Sequence, residues 1–334
     1  MSLYKLRWAL AAVMLAASAA WALAGPWTDD PTQTIVTRAK RHLENNKPDL
    51  AIDLLKNEIA KKPESVLLHY WLGRAYQRAR RFDLAEAEFK DVRGKDPDYI
   101  DAYLRLAALS FRKVQAANPK PRNLALLETA IGYLKDAIKR GPLDTKPYYD
   151  VAELYISSAR FREDKPEAAF AEAMKALEEA RKQEPEEVRP FIALGKARNR
   201  HAMFIAAGTP LAELKGDKAT KCSRLLDQAE ADFRQALKIN PRYLLALNRM
   251  AAIQANRGNL NKALQTLEAH VPRLKNSLEK ATCYRWMAQY LMRDNSRLGE
   301  AETKLNTAIK TEPKELASYL LLANVLLRRK LPQE

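Results

Sequence analysis

From residue 32 onward, apolar and small residues recur at intervals of three and four, the period that lays one face of an α-helix against a core. The run VLLHYWLGRAYQRARRFDLAEAEFKDVRGKDPD shows the pattern most clearly. Leu72, Gly73 and Tyr76 share one face of a first helix, and Ala85, Phe89 and Val92 share one face of a second. Gly73 and Ala85 allow the two helices to approach closely, and Phe89 fills the wedge before the next pair. Pro97 then ends the second helix, because proline has no N–H to donate and its ring clashes with the preceding turn.

The same roles recur along the chain. Prolines follow helical segments at 63, 97, 142, 185, 241 and 313. Ala51 and Leu55 mark a first unit. Leu106, Ala107, Ala130 and Leu134 mark a third, expanded around VQAANPKPRN, and Val151, Tyr155, Ala173 and Leu177 a fourth. Gly195 and Phe233 belong to a fifth that carries the insertion AAGTPLAELKGDK. Met250, Gly258, Ala263 and Leu267 define a sixth, and Ala301, Leu305 and Ala308 a seventh. A last helix is predicted from Leu316 to about Arg329.

On these residues, the segment 32–329 resembles the tetratricopeptide-repeat family, with about seven repeats and a terminal helix. The resemblance implies an all-α fold, a right-handed superhelical solenoid. No helix pair buries its apolar face alone, and stacking successive pairs buries all of them.

The amino terminus reads differently. Lys5 and Arg7 precede an uncharged apolar run from Trp8 to Ala24 that ends in Ala22-Leu23-Ala24, the layout of a secretory signal cleaved before Gly25. The uncharged stretch continues to Thr28, long enough for an uncleaved membrane anchor. The sequence therefore predicts a signal peptide or anchor at 1–24 (its hydrophobic segment reaching 28), a linker at 25–31, the solenoid at 32–329 and a tail at 330–334. Both readings predict export across a bacterial inner membrane to the periplasm, since the positive flank stays inside.

Charge and chemistry narrow the picture further. Lys and Arg number 57 against 41 Asp and Glu, a formal charge of +16, and cleavage would leave +14. Such a surplus suits a polyanion, an anionic membrane or an acidic protein without choosing among them. The 10 glycines form no phosphate-binding loop, and no GxSxG, HExxH or CxxC motif occurs. His42, His69, His201 and His270 stand far apart in sequence. No catalytic residue, cofactor or metal is expected, and the chain reads as a non-enzyme. Cys222 and Cys283 can be a disulfide pair or two inert buried thiols.

The resemblance implies ligand binding on a concave face built by the first helix of each pair. Projected onto this chain, that face carries Tyr70, Arg74 and Gln77 in the second unit and Tyr149 and Glu153 in the fourth. Arg189, Lys196 and Asn199 follow in the fifth, and Asn248 in the sixth. Val36 and Lys40 with Tyr70 and Arg74 do not make the full lysine and asparagine clamp by which some members hold carboxyl-terminal chaperone peptides. The expected function is a non-catalytic protein-interaction scaffold for an envelope-associated assembly, such as secretion, pilus biogenesis or polysaccharide export. Its expected partners are envelope proteins or extended peptides in the groove. The alternative is a periplasmic module for an acidic polysaccharide. No specific nucleic acid is expected, and the sequence leaves the oligomeric state open.

Overall fold

The computed structural model describes residues 31–116, 120–141, 144–162 and 165–330, and these form helices and turns with no strand among them. The chain divides into two compact units, the first ending at Leu109 and the second beginning at Ser110.

The first unit holds α1 (Pro31–Glu44), α2 (Pro48–Ile59), α3 (Val66–Arg78), α4 (Phe82–Lys95) and the start of α5 (Ile100–Ala116). Consecutive helices from α1 to α4 pack on one another, and α1 also reaches α3. Pro48 opens α2, where its fixed φ suits the first helical turn and its missing N–H costs nothing. The chain reverses between paired helices through one residue in the left-handed region, Asn46 and then Arg80. Phe89 is fully buried against Gly73, where an added Cβ would lie 2.7 Å from its ring. The absent side chain at 73 therefore sets how closely α3 and α4 approach.

The second unit continues with α6 (Lys120–Lys139), α7 (Lys146–Ser158), α8 (Pro166–Gln183), α9 (Val188–Ala206) and α10 (Gly216–Ile239). It ends with α11 (Leu244–Asn256), α12 (Leu260–Glu268), α13 (Ser277–Leu291), α14 (Leu298–Thr311) and α15 (Leu316–Lys330). Each helix from α6 to α15 packs on the next. The Gly73–Phe89 arrangement recurs at Gly195 of α9, where a Cβ would meet the buried Phe233 ring at 2.6 Å. The insertion after α9 begins with Ala207 and Gly208, both in the left-handed region, and includes a short 3-10 turn before α10. Leu211 and Leu214 from this insertion pack on the core of α9, α10 and α11.

Cys222 of α10 and Cys283 of α13 are unbonded and buried, each in a different apolar cluster. Burial pushes both thiols up, Cys283 to about 12, so they remain protonated and inert.

The fold expectation needs one correction. An all-α solenoid of tetratricopeptide type is present, but among the described residues no signal or membrane-anchor helix belongs to it. Among the described residues no helix is long and apolar enough to cross a membrane. The predicted signal or anchor at 1–24, with its extension to 28, lies outside the described residues. The signal, transmembrane, membrane and periplasmic assignments, and export across an inner membrane, accordingly find no support in the fold and are set aside. The apolar helix nearest the carboxyl end of the described residues, α15, has 15 residues, too few to span a bilayer core.

Candidate functional site

Five of the sequence-derived groove residues meet in the second unit. Tyr149 and Glu153 from α7, and Arg189, Lys196 and Asn199 from α9, line one cavity of about 590 Å³. They come together because α7 and α9 are the first helices of successive pairs, and their groove-facing positions recur one helical turn apart. Ile156, Leu177 and Ile192 supply an apolar wall, while Asp150, Arg200, Tyr243 and Arg249 complete the polar lining.

The side chains are held from behind. The Tyr149 hydroxyl donates to Glu184 at 3.1 Å, and the Thr145 hydroxyl donates to the other oxygen of the same carboxylate at 2.6 Å. Burial and the Glu184 carboxylate push the Tyr149 phenol above the ordinary tyrosine range, so it remains a neutral donor. The Arg189 guanidinium lies 3.9 Å from the centroid of the Tyr149 ring, a cation–π contact that leaves its N–H groups available. Arg200 donates to both oxygens of Glu153, at 2.7 and 2.8 Å, and Lys146 neutralises Asp150 from the same helix. Among the described residues, Arg189, Lys196 and Arg249 form no ion pair. The two acidic groups of the cavity are thus already matched, and three of its cations have no ion pair among the described residues.

Arg74 and Gln77 line a separate cavity of about 740 Å³ in the first unit, with Lys40, Leu43, Glu44, Trp71 and Arg78. Lys40 Nζ stands 4.6 Å and Arg74 Cζ 5.3 Å from the Trp71 ring centroid. Tyr70 does not line it. This residue is buried against Trp71, Phe89 and Tyr99, and its hydroxyl accepts from Arg74 at 3.2 Å. Asn248 also serves within the fold, since its side-chain oxygen accepts from the Tyr290 hydroxyl at 2.7 Å and so ties α13 to α11.

Arg200, Tyr243, Arg249, Lys40 and Trp71 were not among the sequence-derived groove residues. Arg200 follows Lys196 by four and shares its face, so helical spacing alone carried a signal for it. Tyr243 precedes α11, and only the folding of that helix against its neighbours carries it to the cavity.

One further cluster is satisfied within the protein. His69 Nδ1 lies 2.7 Å from Glu88 and 3.2 Å from Asp91, while Nε2 faces the Pro63 carbonyl at 2.8 Å. Lys95 donates to Asp91 at 2.6 Å. These contacts fasten the turn before α3 to α4.

Residues 36–100 match the tetratricopeptide-repeat family. The chain is 31% identical over 144 residues to the antiviral innate immune response effector IFIT1 of Macaca fascicularis, covering 40% of this chain and 30% of that protein. It is 26% identical over 133 residues to human IFIT1, covering 39% of this chain and 23% of that protein. The chain thus spans less than a third of the length of either relative. Among solved structures, the carboxyl-terminal part of a repeat-containing protein from Cytophaga hutchinsonii superposes with a TM-score of 0.55 at 16% identity. That match covers 89% of this chain and all of that one, and it bears on fold alone.

Proposed function

We propose that this chain, a tetratricopeptide-repeat protein by its residues 36–100 and by the helix pairs beyond them, is a non-catalytic scaffold that holds an extended acidic segment of a partner protein. The observation that carries the reading is the cleft of α7, α9 and α11. There Arg189, Lys196 and Arg249 lack carboxylate partners among the described residues, beside the aromatic side chains Tyr149 and Tyr243. An extended peptide offers what such a cleft can use. Its carboxylates take charge-assisted hydrogen bonds from the guanidinium groups, and its apolar side chains cover Ile156 and Ile192.

The test is fluorescence anisotropy of the full chain with labelled peptides in which Asp or Glu alternates with apolar residues, compared with their Asn or Gln counterparts. The Lys196→Glu/Arg249→Glu double variant should bind the acidic peptide at least about 10-fold more weakly, roughly 1.4 kcal/mol, with unchanged circular dichroism. Equal binding of acidic and neutral peptides would overturn the reading. So would salt-sensitive retention of an acidic polysaccharide by a protein that binds no peptide.

A further inference from the structure

The cavity of the first unit gathers charge that the fold leaves unmatched. Lys40 enters it from α1 and Arg74 and Arg78 from α3, and these three cations share its wall with one carboxylate, Glu44. None of the four makes an ion pair among the described residues. For Lys40 this is not for want of a partner. Glu44 follows it by four on the same helix, the spacing at which opposite charges meet, and Lys146 and Asp150 stand in that same order and do pair. The Lys40 ammonium instead stands over the Trp71 ring, with the Arg74 guanidinium over the same ring. The indole thus holds a cation from each helix in place without neutralising either. Arg74 gives one N–H to the Tyr70 hydroxyl, which fixes its guanidinium and leaves other donors free.

We propose that this cavity binds a phosphate monoester, presented as the phosphoserine or phosphothreonine side chain of a partner protein. Three positive charges against one negative leave the lining at +2. A phosphate monoester carries about −1.5 to −2 at pH 7, whereas a single carboxylate would balance half of that surplus. Arg74 and Arg78 offer forked N–H groups that match phosphate oxygens, Lys40 adds a point charge, and Gln77 adds an amide donor. Lys40 and Arg78 are exposed, so the phosphate reaches them from solvent. The apolar part of the lining is confined to Leu43 and Trp71, and the indole already serves the two cations. Recognition therefore rests on the phosphate, which suits a flexible peptide better than a flat base. The residues are distinct from those of the α7, α9 and α11 cleft, so the two sites are tested apart.

Fluorescence anisotropy of the full chain tests this, with a labelled phosphoserine peptide and its Glu and Ser counterparts. The measurement is made in the Lys196→Glu/Arg249→Glu background, so that the other cleft does not contribute. The phosphopeptide should bind at least about 10-fold more tightly than the Glu peptide. Lys40→Gln/Arg78→Gln should abolish that preference with unchanged circular dichroism, and Lys40→Arg/Arg78→Lys should keep it. Arg38→Gln/Arg41→Gln removes equal charge from exposed positions of α1 outside the cavity and should also keep it. Equal binding of the phosphorylated and Glu peptides would overturn the proposal. So would equal loss from the two Gln pairs, which would report net charge alone. Displacement of the peptide by adenosine monophosphate at lower concentration than by phosphoserine would likewise overturn it, in favour of a nucleotide.

Discussion

Arg198 of α9 reaches Glu178 on α8 at 2.8 Å and pairs with Asp232 on α10, so one guanidinium ties three helices together. Asp232 is buried, and desolvation raises its carboxyl to about 6 against the opposing pull of Arg198. A carboxyl raised on folding binds its proton more tightly in the native state. Its stabilising contribution is therefore fully present below about pH 4 and is lost as pH rises toward 6. Carboxyls held low, such as Glu300 beside Arg297, act in the opposite sense, so a substitution is needed to isolate Asp232. Between pH 4 and 6.5 the urea midpoint of the parent protein should fall relative to that of Asp232→Asn, by an equivalent on the order of 2 kcal/mol. Parallel pH profiles for the two proteins would contradict the assignment. His201 shows the same cost from the other side. Its ring stacks on Phe170 at 4.4 Å, neither nitrogen has a hydrogen-bond partner among the described residues, and burial lowers its pKa so that it stays neutral. The sequence marked neither residue, since Asp232 and Arg198 stand 34 positions apart and their adjacency depends on the packing of α9 on α10.

At the scale of the element, helices and breaks were legible because they rest on local chemistry. Pro48 and Pro166 open helices, and the glycines at 73 and 195 lie where phenylalanines 89 and 233 press in from the next helix. The reversal between paired helices shows how tolerant that chemistry is, since the left-handed residue is Asn46, Arg80 or Gly258 in different pairs. At Gly258 an added Cβ would find only Ala212 Cβ, at 4.0 Å, an ordinary contact. The cost of a side chain there is conformational rather than steric. Gly258→Val should therefore destabilise the protein by about 1–2 kcal/mol, read as a lowered thermal midpoint by circular dichroism. Spacing also carried much of the candidate cleft, because Tyr149, Glu153, Lys196 and Asn199 follow the turn of α7 and α9. It did not separate groove from core at Tyr70, where the helical period is equally compatible with the aromatic packing of Trp71, Phe89 and Tyr99.

For the whole molecule, the formal charge of +16 becomes informative only once ion pairs are assigned. Arg200, Arg257 and Arg285 are matched by Glu153, Asp227 and Glu315, whereas Arg189, Lys196 and Arg249 remain for a ligand. Binding that relies on these three should weaken as salt shortens the screening length from about 10 Å at 0.1 M to about 3 Å at 1 M. The dissociation constant for an acidic peptide should rise at least about 10-fold over that range, and the Lys196→Glu/Arg249→Glu variant should lose most of the dependence. A salt-independent constant would assign recognition to the apolar wall instead. By itself the sequence determined the all-helical class, the positions of most helices and the recurring small and aromatic positions, because helical period, proline breaks and side-chain size act within a few residues, whereas the seating of Phe89 on Gly73 and of Phe233 on Gly195 came from the packing of helix on helix. Tertiary structure alone decided which cations are already paired and which tyrosine faces a cavity, because those outcomes depend on contacts between separate helices.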